Sequence, residues 1–198
     1  MWTETRLILA SGNAGKHAEF ARLFQTLGTD VIRQSDLDID SPEETGLTFI
    51  ENALLKARHA SRLANAPALA DDSGLVVPAL DGAPGLYSAR YAGVGASDQD
   101  NIDHLLSEMT GLKGAERRGH YLCALALLRH AEDPDPIIAI GTWHGEILSE
   151  PRGGGGFGYD PLFLPEGLSE TAAEMTSEVK NRISHRGKAV QLLLAQLT

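Results

Sequence analysis

The 198-residue chain has a single cysteine, Cys123, which excludes an intrachain disulfide, and its seven histidines are scattered with no zinc-site spacing. Long apolar runs are missing too. The longest, residues 122–128, falls far short of the roughly 20 residues that cross a bilayer as helix. The opening Met1-Trp2-Thr3-Glu4-Thr5-Arg6 lacks the plan of a secretory signal, so the sequence leads to the expectation of a reducing, cytoplasmic setting. No Gly-x-Ser-x-Gly elbow is present for a serine hydrolase. Basic residues are in deficit: 17 Lys+Arg face 27 Asp+Glu, for a formal charge of −10. That balance opposes binding to nucleic acid polymers or anionic lipid, and the chain has no basic stripe with interleaved aromatics.

The charge is unevenly spread. Beyond Glu178 come Lys180, Arg182, Arg186 and Lys188 with no further acid, while Asp36, Asp38, Asp40, Glu43 and Glu44 gather elsewhere. A small anion therefore still has a cationic end to meet, although a solvated basic helix face would explain it equally well.

Composition is that of an ordinary globular protein, and the length suits one domain over residues 1–198 with a sizeable core. Residues 6–10 read as a buried strand and the helix after them runs to Leu27, with Gly28 as its stop. Val31 to Arg33 suggest another strand. Thr48 and Glu51 have capping-box spacing ahead of Ile50, Ala53, Leu54, Ala57, Ala60 and Ala64 at helical spacing, and Pro67 closes that helix. Short strands are predicted at 68–70 and 75–77 on either side of a turn, Asp71-Asp72-Ser73-Gly74. Residues 80–95, rich in glycine, read as a loop, and 98–109 as a surface helix stopped by Gly111. Two strands, 120–128 and 137–148, flank an Asp-Pro-Asp-Pro turn, and 189–197 form a closing amphipathic helix. The alternation of helices and strands with one long hairpin gives an α/β class with a mixed sheet.

Four constellations can carry chemistry. Ser11, Gly12, Asn13, Ala14, Gly15 and Lys16 join a strand to a helix start, where free amides, the helix dipole and Lys16 suit phosphate. The P-loop pattern itself fails, since Ala10 and His17 stand where glycine and Ser/Thr are required, and an ordinary strand–turn–helix remains open. Glu43, Glu44, Asp71 and Asp72 offer hard oxygens for Mg²⁺, or aspartates capping a turn. A calcium loop from Asp36 fails at Ser41 and Leu47. The run from Gly153 to Phe163 carries Phe157, Gly158, Tyr159 and Asp160, which suit a flat ligand and its polar edge, or a hairpin folded on the core. Lys180, Ser184, His185, Arg186 and Lys188 offer donors to carbonyl or phosphate oxygen, or form an exposed basic helix start. Cys123, inside an apolar strand, reads as inertly buried, and His17, His59, His104, His120, His130 and His144 as surface or satisfied structural residues.

Taken in order, these segments resemble the Ham1-type inosine/xanthosine triphosphate pyrophosphatases, which act on noncanonical purine nucleotides. The blocks are residues 11–16, 43–46, 51–57, 71–74, 85–93, 156–161 and 184–189, nearly the whole chain. The resemblance implies a mixed, elongated central sheet flanked by helices, with two lobes around an active-site cleft. It implies hydrolysis of ITP, dITP or XTP to monophosphate and pyrophosphate with Mg²⁺, in a homodimer. By position, Ser11 to Lys16 match the nucleotide-holding loop, Glu44 and Asp72 the metal-binding acids, and Asp72 also the proton acceptor for the attacking water. Lys56 and Ser73 match further substrate contacts, as do Phe157, Gly158, Tyr159, Asp160, Lys180, His185 and Arg186. Gly12, Met175 and Val179 depart from the usual family residues.

Overall fold

The structure, a computed structural model, describes residues 2–11 and 14–197. Six strands form one sheet in the order β2-β1-β3-β4-β5-β6. They are β1 (Arg6–Leu9), β2 (Asp30–Arg33), β3 (Ala68–Val76), β4 (Arg118–Leu128), β5 (Ile137–Ile147) and β6 (Phe163–Pro165). β1 runs parallel to β2 and β3, whereas β5 and β6 are antiparallel, so the sheet is mixed as expected. The helices are α1 (Ala14–Gln25), α2 (Phe49–Ala64), α3 (Asp98–Glu108), α4 (Ser177–Ile183) and α5 (His185–Leu197). None is long and apolar enough to cross a membrane among the described residues.

Two compact units share these elements. The first comprises the chain up to Asp72, residues 124–140 and those from Ala189 on. Here Leu7, Ile8 and Leu9 of β1 are all fully buried, the pattern of a parallel strand covered on both faces. Phe20 and Phe24, one turn apart on α1, and Ala53, Ala57 and Ala60 on α2 complete the same core. The second unit holds residues 73–123 and 141–188. Its core gathers Leu75, Leu105, Tyr121, Trp143, Tyr159 and Phe163.

Two expectations change. β3 is one nine-residue strand that carries Asp71 and Asp72 through its middle, where the sequence suggested a turn between two shorter strands. A strand tolerates these acids because each has a lysine partner, which offsets the cost of burying a carboxylate. Residues 80–95 are not wholly irregular either, since Gly85–Arg90 winds as a 3₁₀ helix. The short β6 and α4 carried too few periodic residues to stand out in sequence. Cys123 is fully buried, as expected.

Candidate active site

In the first unit the acidic groups of β3 meet lysines of two helices. Successive strand residues point to opposite faces, and the two aspartates accordingly find different partners. Asp71, almost completely buried, takes the Lys16 ammonium of α1 on both oxygens, at 2.9 and 2.7 Å. Asp72 accepts from Lys56 of α2 at 2.7 Å, and the same ammonium donates to Glu44 at 2.8 Å. Glu43 is exposed. Ser73 follows on β3, half-buried.

Local rules set this triangle. Thr48 caps α2 by accepting the Glu51 amide, and the Glu51 carboxylate answers by accepting from Thr48 Oγ1 and the Leu47 amide. One turn into the helix, buried Asn52 accepts the Gly46 amide at 2.8 Å and turns its own amide toward Asp72 at 3.4 Å. The loop bearing Glu44 is thus tied to the helix bearing Lys56. Gly46 is required there, because a Cβ would stand 2.7 Å from Asn52 Oδ1. Asn52 lay within a family-like block, yet its role shows only once Asp72 and Gly46 are seen around it.

Burial governs the protonation of the triangle. It pushes the Asp72 carboxyl above its ordinary range, against the pull of Lys56 and with the help of Glu44's negative charge. Burial alone would lower the Lys56 ammonium, but the two carboxylates outweigh it and raise that group. Glu44 Oε1 and Asp72 Oδ1 converge on one point, held here by the ammonium. Mg²⁺ takes hard oxygens and needs one or two carboxylates beside phosphate and water, so this donor set fits it. Among the described residues no group of three His, Cys, Asp or Glu side chains encloses a metal.

In the second unit, Phe157, Lys180, Ser184, His185 and Arg186 line a cavity of about 120 Å³. Phe157 is 58% exposed, unusual for an aromatic of that size, and the Lys180 ammonium lies 4.5 Å from its ring centroid. Asp160 is buried, pairs with Lys180 and accepts the Phe157 amide at 2.8 Å. A Cβ on Gly156 would collide with that carboxylate at 2.1 Å. His185 is buried with its ring stacked on Tyr121, centroids 4.7 Å apart and planes 13° from parallel. Tyr121 escaped the sequence reading because an aromatic inside an apolar strand carries no local sign of a partner.

Tyr159 sits differently from its neighbours. Its side chain is in the core and its hydroxyl donates to the Ser88 carbonyl at 2.8 Å. Burial, with Tyr91 and Asp98 nearby, raises that phenol strongly. Gly12 and Asn13 fall outside the described residues, while Ala14 and Gly15 open α1. Several histidines have structural partners: His17 and His59 contact the Val31 and Asp40 carbonyls, and His104 lies against Tyr91.

The chain as a whole is similar to known proteins. The Ham1 family profile matches residues 7–196. The chain is 55% identical to a dITP/XTP pyrophosphatase of Pectobacterium atrosepticum over 97% of its own length and 98% of that protein. It is 54% identical to the dITP/XTP pyrophosphatase of Escherichia coli K12 at the same coverage. Among solved structures, a HAM1 protein from Coxiella burnetii superposes with a TM-score of 0.92 at 45% identity, over 96% of this chain and 98% of that one. The Staphylococcus aureus Ham1 protein gives 0.89 at 41%, over 97% of each.

Proposed function

Because the chain belongs to the Ham1 family, we propose that it hydrolyses noncanonical purine nucleoside triphosphates (ITP, dITP and XTP) to the monophosphate and pyrophosphate, so cleansing the nucleotide pool. The observation that carries this reading is the triangle of Lys56, Glu44 and Asp72, in which a base of raised proton affinity sits beside a cation and a second hard-oxygen donor.

The stoichiometry requires cleavage between the α- and β-phosphates. Asp72 accepts the proton of the attacking water, and Asn52 and Lys56 keep its carboxylate in place. Glu44 and Asp72 would hold Mg²⁺, which when bound neutralises phosphate charge. Lys16 and Lys56 stabilise the charge that gathers on departing pyrophosphate. The loop of Ser11 to Gly15 and Ser73 belong to the same phosphate-side set by their match to the family pattern.

The second unit supplies base recognition. Phe157 stacks on the purine, Lys180 and the backbone of residues 157–160 border it, and His185 and Arg186 donate to its 6-oxo group. Adenine offers an amino donor at that position, which leaves those donors without acceptors and disfavours ATP. A homodimer in the cytoplasm belongs to this proposal, on the family resemblance and the single buried cysteine.

Pyrophosphate release from ITP, dITP, XTP, GTP and ATP, with Mg²⁺ and with chelator, tests the function. Release from ITP and XTP is expected to exceed that from ATP at least 100-fold and to vanish on chelation. Equal turnover of ATP and ITP defeats the selectivity, and orthophosphate as sole product defeats the bond assignment. Phe157→Ala is expected to raise KM for ITP about tenfold with kcat within threefold, in line with stacking worth about 1–3 kcal/mol per base. An unchanged KM removes Phe157 as the stacking partner.

A further inference from the structure

The glycine-rich segment before Phe157 should by itself hold no fixed conformation, yet the aromatic it carries has to meet a flat ligand in one orientation. Phe157 stands between Gly156 and Gly158, both left-handed at φ +76° and +59°. Two consecutive amides are then taken by two different carboxylates. Asp160 accepts the Phe157 amide from within the loop, and Asp98 accepts the Gly158 amide at 2.7 Å from 60 residues away.

Asp98 is well placed for such a task. It is the first residue of α3, whose start is fixed by a reciprocal cap: Ser97 accepts the Asp100 amide, and Asp100 accepts from the Ser97 amide and hydroxyl. The helix is in turn joined to the preceding segment by Asn101, which accepts the Ala92 amide at 2.8 Å. That segment includes Ser88, the acceptor for Tyr159. Residues 85–98 therefore grip the loop at Gly158 and at Tyr159, on each side of one peptide bond. This gives a physical task to the block of residues 85–93, which the hydrolytic reading leaves without one.

We propose that Asp98 is a positioning residue for base recognition: by accepting the Gly158 amide it holds the Phe157 ring in its stacking orientation, without touching the nucleotide. The proposal rests on the assignment of Phe157 to the base. It also implies that the amides of residues 157 and 158 are engaged by carboxylates of the protein and are not offered to phosphate.

Asp98 is exposed, and its helix keeps the Ser97–Asp100 cap without it, so Asp98→Ala folds. The expected result is faster amide hydrogen exchange in the peptide covering residues 156–160, by about tenfold. KM for ITP rises about fivefold to tenfold with kcat within twofold, the size expected when one charge-assisted bond to a loop is lost. Asp98→Asn, which keeps an acceptor oxygen but not its charge, recovers about half of each effect. Adding Asp98→Ala to Phe157→Ala raises KM by less than twofold more, because the ring it positions is gone. Unchanged exchange and KM in Asp98→Ala overturn the proposal. So does a kcat loss at constant KM, or full additivity with Phe157→Ala. The exchange measurement needs no substrate, so wild-type protein that releases no pyrophosphate from ITP defeats the proposed function while leaving the Asp98 contact separately decided.

Discussion

Asp72→Asn is expected to lower kcat for ITP by two to three orders of magnitude while the protein remains folded. The asparagine keeps the shape of the side chain and a carbonyl oxygen for Lys56, but it cannot take a proton from water. A positioned general base contributes roughly 10²–10⁴-fold, so the loss should fall in that span. Folding survives for a specific reason. Lys56 remains joined to Glu44 at 2.8 Å, so its buried ammonium is not left without a carboxylate. Burial already penalises the charged form of Asp72, and the neutral amide escapes that penalty and the repulsion from Glu44. A loss of about 1–2 kcal/mol in stability is the expected size for weakening one such bond. Single-turnover kinetics beside thermal unfolding makes the comparison, and a kcat within tenfold of wild type removes Asp72 as the base.

The same residue shows what the sequence disclosed and what it withheld. Thr48 and Glu51 announced α2 by spacing, because a cap is a local device whose partners lie three residues apart. The seven family-like blocks named the site residues, since residue type at fixed order is visible in a linear string. The environment of Asp72 was not visible, because it depends on Lys56 and Asn52 arriving from 16 and 20 residues earlier. For that reason an Asp-Asp pair read as a turn, and proved to be the middle of a strand whose charges are met from two helices. Tyr159 makes the converse point. It shares a motif with Phe157 and Asp160, yet the turn through Gly158, left-handed at φ +59°, carries it into the core, where its hydroxyl serves Ser88. A motif lists neighbours in sequence; burial sorts them into those that meet ligand and those that brace the ones that do.

Gly187→Ala is the second change with a large expected effect, and its cause is contact between backbones. Ser184 closes α4, its amide bonded to the Lys180 carbonyl, and opens α5 by accepting the Gly187 amide at 3.2 Å. The two helices meet so closely that a Cβ on Gly187 would lie 1.9 Å from the Asn181 carbonyl oxygen. That atom is main chain at the end of a helix, so no rotamer can relieve the overlap and α5 has to shift against α4. Helix propensity favours alanine by about 1 kcal/mol, but overpacking of this kind costs about 1–3 kcal/mol or more, so the clash wins. Activity should suffer more than stability. Lys180 is on α4, whereas His185 and Arg186 are on the first turn of α5, and a shift of about 1 Å between positioning groups can cost on the order of 100-fold. The expected outcome is a 10- to 100-fold fall in kcat/KM for ITP with a loss of about 1–2 kcal/mol in stability. Gly154→Ala serves as the control, since a Cβ there meets nothing within 4 Å. Near-native kcat/KM in Gly187→Ala, or an equal loss in Gly154→Ala, would show that the α4–α5 contact does not set the geometry of the base pocket.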